Sequence, residues 1–292
     1  MNPMHKDTSR LTLFSSYFAA ECMPTYIRYY LEYLRPHSTT LIYITTDDKT
    51  LNAEDIEWLN THTDGLMQVK NEGFDFGMWQ KALTQFDAFN YDELCLTNDS
   101  CVCYSDLTPY FEWHNSTNAD MTGMTASNQV TFHLQSFFLV IKKSALHSAV
   151  SYIEELQIAN NTILEVINKG EVGLSRHVIE QSMKIEGWYT CPLGDMGNPT
   201  FAHAIDLINH GIPLVKRKLF LRYNSSLLRN KLINTGDWRF SVVTDAIKTQ
   251  AKLSDEAFQD LFAWNIPKPI TMREKIRILI WVSKYKLGLL RK

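Results

Sequence analysis

Four short segments of the sequence place polar side chains where they could act on a charged, polar substrate. The first is Thr97-Asn98-Asp99-Ser100, which directly follows the apolar run of residues 93–96 (ELCL). A carboxylate at such a point, flanked by amide and hydroxyl groups, could hold a divalent cation against a diphosphate and stabilise its charge as it leaves. The same residue types are common in ordinary turns, and that alternative stays open.

The second segment is Asn71–Trp79, with the sequence NEGFDFGMW. Gly73 and Gly77 permit close approach of the backbone, and Asp75 lies between them at the start of a predicted helix. Asp75 could accept hydrogen bonds from sugar or ribose hydroxyls, or it could cap the helix. The glycine spacing differs from the GxGxxG fingerprint, so the segment disfavours a nicotinamide enzyme.

The third segment is Gly170–Ser175 (GEVGLS), at the start of another predicted helix. Glu171 is a candidate general base, because a carboxylate at a loop-to-helix junction could take the proton of an attacking hydroxyl. A glutamate near a helix N-terminus also complements the helix dipole, which is the alternative interpretation.

The fourth segment is His133–Phe138 (HLQSFF), where alternation in a strand would put His133, Gln135 and Phe137 on one face. We expect His133 and Gln135 to contact an acceptor or to support the site. A lone histidine at the start of a strand is more often structural, and this alternative also stays open.

Alternating strands and helices must position these segments. A parallel sheet with helices on both faces is predicted, since strand and helix patterns follow one another along the first half of the chain. Ligands of such sheets bind beyond the carboxyl ends of the strands, where the first two segments lie. The predicted strands are Leu11–Phe18, Thr39–Thr46, Leu66–Lys70 and Asp92–Thr97, and the predicted helices between them are Thr25–Leu34, Ala53–Thr61 and Phe76–Phe86.

Further along, the pattern predicts one strand over His133–Ile141 and a helix over Ser175–Ile185 that ends at Gly187 as a C-terminal cap. The pattern is helical again from Asp237 to Trp264. We therefore divide the chain into an α/β domain, residues 1–235, and a C-terminal helical extension, residues 236–292.

The charge of the chain is uneven. Residues 271–292 contain seven Lys or Arg and one Glu, a net charge of +6, so the formal net charge of −3 leaves residues 1–270 at −9. A helix over residues 271–292 would carry a basic band and an apolar stripe, which favours contact with an anionic membrane surface. The competing interpretation is a helix docked on the protein with its charged face in solvent.

Composition limits the classes of protein that are possible. Charge is mixed and moderate, which excludes a highly basic nucleic-acid binder. The five cysteines form no CxxC pair and no zinc spacing, as expected for reduced thiols in the cytoplasm. No apolar run reaches the roughly 18–20 residues that span a bilayer. We expect a cytoplasmic protein, peripheral on the inner face of the cell membrane.

Taken in order, these segments resemble the rhamnan synthesis protein F family, bacterial glycosyltransferases of the GT-A fold. The resemblance covers roughly residues 11–222. The blocks that carry it are Tyr29–Pro36, Asn71–Trp79, Asn98–Ser100, Thr122–Thr125, His133–Phe138, Gly170–Ser175, Asn198–Thr200 and Gly211–Lys216.

The resemblance implies a Rossmann-like GT-A sheet, mostly parallel and flanked by helices, in residues 1–235. It implies transfer of a sugar, often L-rhamnose from dTDP-rhamnose, to a growing lipid-linked polysaccharide of the bacterial surface. By the same resemblance Glu171 is the base of an inverting reaction, and Asp99 is a ligand of Mg²⁺ or Mn²⁺. The implied donor-binding residues are Asn71, Asp75, Asn98, Asp99 and Ser100.

The chain departs from the pattern of the family in two places. Asn98-Asp99-Ser100 has one carboxylate where other GT-A enzymes carry Asp-any-Asp, and Cys103-Tyr104 stands where the family commonly has Gly-Pro. Two alternatives to an inverting transferase stay open. One is a non-catalytic component that binds nucleotide or glycan in a polysaccharide-assembly complex, and the other is a retaining glycosyltransferase.

Overall fold

Strands and short helices alternate along the chain in the computed structural model, which describes residues 8–18, 22–48, 51–191, 198–219 and 239–255. The strands are β1 (Arg10–Ser15), β2 (Thr40–Thr46), β3 (Gly65–Val69), β4 (Glu93–Asn98), β5 (Cys101–Cys103), β6 (Met121–Ser127), β7 (His133–Leu134), β8 (Phe138–Lys142), β9 (Ile185–Thr190) and β10 (Leu214–Lys216). The helices are α1 (Thr25–Leu34), α2 (Ala53–His62), α3 (Phe74–Leu83), α4 (Thr108–Ser116), α5 (Lys143–Glu155), α6 (Ile163–Val166), α7 (Gly173–Glu180), α8 (Pro199–Ala202), α9 (Ala204–His210) and α10 (Arg239–Ala251). A π-helical segment, Ile167–Val172, joins α6 to α7.

The main sheet has the strand order β3-β2-β1-β4-β8-β6-β7, and β9 pairs with β6. Strands β3, β2, β1 and β4 are mutually parallel, as are β6 and β9, whereas β8 runs antiparallel to both β4 and β6. The predicted α/β fold class, with parallel strands flanked by helices, is confirmed. In this sheet Ser15 of β1 pairs with Asn98 of β4, so the carboxyl ends of these two strands lie side by side.

Two apolar cores cover the two faces of the sheet. Neighbouring residues of β1 point to opposite cores, as alternation in a strand requires. Phe14 packs with Tyr30 of α1 in one core, and Leu13 packs with Trp79 of α3 in the other. All four side chains are fully buried, which explains why the strands of this region are apolar on both faces.

A small second sheet pairs a strand near the end of the predicted α/β domain with a strand near the middle of its sequence. Strand β10 pairs antiparallel with β5, and Lys216 lies opposite Cys101. The next residue continues the ladder, since the N–H of Arg217 donates to the carbonyl oxygen of Ser100 at 3.1 Å. This pairing brings a basic segment next to the polar loop that follows β4.

The structure corrects two predicted elements. The strand predicted over His133–Ile141 is two strands, β7 and β8, separated at residues 135–137. The helix predicted over Ser175–Ile185 ends at Glu180, and Gly187 is not its cap but lies within β9. A Cβ at Gly187 would lie 2.5 Å from the nitrogen of Ala126, so glycine is needed there for the close approach of β9 to β6.

At the C-terminal end, Val243 and Ile247 of α10 pack in the same core as Leu207 and Ile208 of α9. The predicted membrane-binding helix, residues 271–292, lies outside the described residues, and the domain boundary at residues 235 and 236 stays a prediction. Among the residues described, none of the helices is long and apolar enough to cross a membrane.

Candidate active site

Asp75 lies at the carboxyl edge of the sheet, in the first turn of α3. Its Oδ1 accepts a hydrogen bond from Ser15 Oγ at 3.2 Å, and its Oδ2 accepts one from Asn98 Nδ2 at 2.8 Å. Burial raises the pKa of Asp75 to about 6, although the charge of Lys216 and the Ser15 hydroxyl both act to lower it. The paired ends of β1 and β4 therefore hold this carboxylate from both sides.

An unusual turn places Asp75 at this edge. Gly73 has φ +77° and Phe74 has φ +56°, a left-handed conformation that is rare and costly for an aromatic residue. Gly77 lets the turn pack closely on α3, because a Cβ there would lie 1.7 Å from the carbonyl oxygen of Glu72. Backbone strain of this kind clusters at functional sites.

Ser100 extends the network from Asn98 to a lysine. Asn98 Oδ1 accepts from the N–H of Ser100 at 3.1 Å and from its hydroxyl. Ser100 Oγ in turn accepts from Lys216 Nζ at 2.7 Å, and the Lys216 ammonium lies 4.5 Å from the ring centroid of Phe137. Hydrogen bonds thus run continuously from Lys216 through Ser100 and Asn98 to Asp75.

Asp99 is buried behind this network, with 5% of its surface exposed. Its Oδ2 accepts from Ser16 Oγ and from the N–H of Tyr17, both at 3.2 Å, and from the Tyr26 hydroxyl at 3.4 Å. Arg217 Nη1 lies 3.6 Å from the same oxygen. Burial, and then the charge of Asp75, raise the pKa of Asp99 well above its ordinary value.

The Oδ2 atom of Asp99 is already occupied by protein donors, which disfavours this oxygen as a ligand of the metal ion that the resemblance implies. Mg²⁺ takes six oxygen ligands, yet Asp99 Oδ2 already accepts from three donors and lies beside a guanidinium. In the described part of the chain, no three His, Cys, Asp or Glu side chains converge as a metal site. The role of Asp99 as a metal ligand stays a prediction.

Glu171 forms a second cluster with His133 and Ser136. Its Oε2 accepts from both the N–H and the hydroxyl of Ser136 at 2.7 Å, and His133 Nε2 lies 3.5 Å from Oε1. Burial by itself would raise the pKa of Glu171, but His133 and the Ser136 donors outweigh it and hold the pKa below the ordinary value. Glu171 is therefore a carboxylate at neutral pH.

The pKa of His133 is shifted in the direction opposite to that of Glu171. Burial would lower its pKa, but Glu171 and the carbonyl oxygen of Thr131 raise it above the ordinary value. The break between β7 and β8 lets His133 and Ser136 reach the same carboxylate, although strict alternation would put them on opposite faces.

A glycine contact joins the two clusters. Glu171 belongs to the π-helical segment, a geometry that is frequent at functional sites. A Cβ at Gly170 would lie 2.6 Å from the ring of Phe76, the residue that follows Asp75 on α3. The two carboxylates are near enough that the charge of Glu171 raises the pKa of Asp75.

The other predicted site residues have different surroundings. Gln135 is buried: its Oε1 accepts from Thr125 Oγ1 at 2.8 Å, and its Nε2 donates to Asn198 Oδ1 at 3.2 Å. Asn198 also caps α8, so Gln135 supports the framework of the site. Asn71 lies exposed on the loop after β3, at the carboxyl edge of the sheet.

The sequence analysis missed Arg217 and gave Lys216 no role of its own. Their signal was the basic run Lys216-Arg217-Lys218, which follows the apolar residues of β10. Burial lowers the pKa of Arg217 to about 10, so its guanidinium remains charged at neutral pH.

Comparisons of overall structure found solved proteins of low similarity. One, described as a glucose-1-phosphate thymidylyltransferase from Bacillus anthracis, is 9% identical with a TM-score of 0.43 and covers 63% of this chain and 87% of its own. A 4-diphosphocytidyl-2C-methyl-D-erythritol synthase from Anaerococcus prevotii is 7% identical with a TM-score of 0.40 and covers 63% and 90%. At these values neither assigns an activity to this chain.

The sequence itself gives a clearer result. No curated protein matches it. The profile of the rhamnan synthesis protein F family matches residues 42–280, which is most of the chain and includes both carboxylate clusters. The chain belongs to the rhamnan synthesis protein F family, and with it to the transferases that use sugar nucleotides in polysaccharide synthesis.

Proposed function

We propose that this protein is an inverting glycosyltransferase that moves a sugar from a sugar nucleotide to a growing, lipid-linked polysaccharide of the bacterial surface. One observation carries the proposal. A continuous hydrogen-bonded network from Lys216 to Asp75 lies at the carboxyl edge of the sheet, and the ionised Glu171 lies beside it. The first can bind the donor and the second can accept a proton.

In the proposed reaction, the acceptor hydroxyl attacks the anomeric carbon of the donor sugar from the face opposite the diphosphate. The bond between that carbon and the diphosphate oxygen breaks, and its electron pair leaves with the nucleoside diphosphate. Glu171 takes the proton of the hydroxyl. Because one new bond replaces one old bond from the opposite face, the configuration at the anomeric carbon inverts.

The contacts of Glu171 suit this role. Both donors of Ser136 hold Oε2, so the carboxylate has a fixed orientation and Oε1 is left to His133 and the acceptor. Its lowered pKa keeps it ionised over the physiological range. Asp75, with a pKa of about 6, is the second carboxylate that could take the proton, and the pH dependence of transfer separates the two.

Donor binding falls to the first cluster. Asp75, Asn98 and Ser100 present carboxylate, amide and hydroxyl groups that can bind the hydroxyls and diphosphate of a sugar nucleotide, and exposed Asn71 lies at the same edge. The family description, rhamnan synthesis, supports rhamnose as the sugar, and we take dTDP-L-rhamnose as its donor form. His133 and Gln135 stand on the acceptor side of the proposed site, as supports for Glu171 and for the loop before β8.

The lipid-linked acceptor places the proposed enzyme at a membrane. We assign this contact to residues 271–292, whose net charge of +6 would attract the anionic inner face of the cell membrane. Deleting these residues should abolish binding to vesicles that contain anionic lipid, while circular dichroism shows that the protein remains folded. Vesicle binding that survives the deletion would contradict the assignment.

The test of the function is a transfer assay with the purified full-length protein. A lipid-linked rhamnan primer and a panel of dTDP-, UDP- and GDP-sugars serve as substrates, and product is followed by mass spectrometry. We expect a mass gain of one sugar residue, with dTDP-rhamnose the best donor. The alternative of a non-catalytic binding component predicts no transfer from any donor, with or without Mg²⁺ or Mn²⁺.

A further inference from the structure

We propose that Lys216 and Arg217 form a cationic site for the diphosphate of the donor, so that the chain itself supplies the positive charge in place of a divalent metal ion. The inference rests on the proposed function in that it assigns a diphosphate-bearing ligand to this edge of the sheet. It names the residues and the kind of charge that hold that ligand.

Backbone pairing fixes where the two cations lie. Lys216 is the last residue of β10, opposite Cys101, and the N–H of Arg217 is bonded to the carbonyl oxygen of Ser100. Both residues are therefore anchored to the loop that follows β4. Strand pairing leaves this position little freedom, as a preformed anion site requires.

Within the described residues, the Lys216 ammonium has more N–H donors than hydrogen bonds. Among the described residues, its ammonium makes one hydrogen bond, to Ser100 Oγ, and contacts the ring of Phe137. A lysine ammonium has three N–H donors, so two remain for phosphate oxygens. Ser100 also donates to Asn98, which means that the lysine is connected to the groups proposed to bind the rest of the donor.

Among the described residues, no group accepts from one buried N–H donor of Arg217. Its Nε is buried and, within the described residues, has no hydrogen-bond partner. Its Nη1 lies 3.6 Å from Asp99 Oδ2, which is longer than a good hydrogen bond, and its guanidinium lies 5.0 Å from the ring centroid of Tyr26. A buried N–H without a partner is costly, and a phosphate oxygen would satisfy it.

The contacts of Asp99 favour positive charge supplied by the protein's own side chains over a bound metal ion. The carboxylate that would be expected to hold a metal ion instead accepts from Ser16, Tyr17 and Tyr26 and faces Arg217. Asp99 therefore positions the arginine and the loop after β1. The charge that a metal ion would bring to the diphosphate is already present on Lys216 and Arg217, which contact Ser100 and Asp99 of the loop after β4.

Calorimetric titration of the full-length protein with inorganic pyrophosphate, in excess EDTA, tests the site. We expect the wild-type protein to bind, and a parallel titration in EDTA-free buffer with Mg²⁺ not to show tighter binding. Lys216→Ala and Arg217→Ala should each bind about tenfold more weakly or worse, as expected for loss of a charge-assisted hydrogen bond. Lys184→Ala is the matched control, because Lys184 is an exposed lysine at the opposite edge of the sheet, and we expect it to bind as the wild type does.

Two results would overturn the proposal. The first is a wild-type protein that fails to bind pyrophosphate in EDTA, whether or not Mg²⁺ restores binding. The second is wild-type affinity in both the Lys216 and Arg217 variants. Circular dichroism melting checks that the variants fold, and Lys216→Gln or Arg217→Gln replaces the alanine variant at the same position if that variant does not. The wild-type titration decides the matter even when a variant is lost.

The outcome is distinguishable from failure of the proposed function. Transfer that requires Mg²⁺ and is unaffected by the Lys216 and Arg217 substitutions would leave the transferase standing and remove the cationic site. Pyrophosphate binding that depends on both cations in EDTA, together with no transfer from any donor, would leave the cationic site standing and remove the transferase.

Discussion

The Lys216–Asp75 network and the Glu171 cluster, both at the carboxyl edge of the sheet, differ in how many of their polar groups have hydrogen-bond partners. In the Lys216–Asp75 network and at the neighbouring Arg217, donors remain for a ligand: two N–H groups of Lys216 and the buried Nε of Arg217 lack partners among the described residues. In the Glu171 cluster, the negative charge is held by both donors of Ser136 and by His133. The first cluster can therefore bind an anionic ligand, whereas the second stabilises the charge of its own carboxylate.

The pKa values express the same difference. Burial raises the pKa of Asp75 to about 6, whereas the partners of Glu171 outweigh burial and lower its pKa. The surroundings of these two acidic residues therefore shift their pKa values in opposite directions. Such a difference lets two carboxylates take different roles within one active site.

The largest effect is expected from Glu171→Gln. The amide keeps the size and can still accept from Ser136, but it cannot take a proton, so kcat should fall by roughly 10²–10⁴-fold. Circular dichroism should show an intact fold. Glu180→Gln, an exposed glutamate on α7, is the control and should leave kcat unchanged. Near-normal transfer by a folded Glu171→Gln protein would show that the base is another group.

The pH dependence of kcat, measured with saturating donor, distinguishes the two carboxylates, because it does not contain the donor-binding step in which Asp75 takes part. If Glu171 is the base, activity should fall only as the pH drops below the ordinary glutamate pKa of 4.5, because its pKa is lowered. If Asp75 is the base, activity should fall through pH 6, because its pKa is raised to about 6. Our assignment predicts the first profile, and Asp75→Asn should weaken donor binding without moving the limb.

The contact between Gly170 and Phe76 can be used to separate the clusters. Gly170→Ala should drive the Phe76 ring from its place, with a cost in the free energy of unfolding of about 1–3 kcal/mol, and should lower kcat/KM as Asp75 and Glu171 move apart. The double variant Gly170→Ala/Phe76→Leu makes room for the methyl group. It should recover stability relative to Gly170→Ala alone, and additive effects in this double-mutant cycle would deny the contact.

The smallest effect is expected from Ser136→Ala, which removes one of the donors to Glu171 Oε2 and keeps the N–H. Loss of a donor to the ionised form raises the pKa of Glu171. The acidic limb of kcat, measured with saturating donor, should therefore move to higher pH. An unmoved limb would mean that the hydroxyl does not govern the charge of Glu171.

The N-terminal half of the fold was predictable because each of its elements has a clear local pattern. The helix predicted over Thr25–Leu34 is α1 with the same bounds, and the predicted strand Thr39–Thr46 is β2 to within one residue. The pattern failed over Ile185–Thr190, since a glycine that is needed for strand packing was interpreted as a helix cap. Only tertiary contact with β6 distinguishes the two roles.

The site was predictable to the extent that its residues follow strands. Asp75, Asn98 and Ser100 were expected at one edge of the sheet, and the structure joins them by hydrogen bonds. Lys216 lies 116 residues from Ser100 in sequence and reaches it through the pairing of β10 with β5, two strands of three residues each. Elements so short leave no periodic pattern, so their pairing could not be inferred from the sequence.

The anomeric configuration of the product tests most directly whether the protein transfers the sugar with inversion. Wild-type protein and Glu171→Gln are incubated with dTDP-rhamnose and a synthetic acceptor, and the new linkage is assigned by nuclear magnetic resonance. We predict a linkage of configuration opposite to that of the donor in the wild-type product, and no product within the same time from Glu171→Gln. A wild-type product that retains the configuration of the donor would contradict the single-displacement reaction proposed for this site.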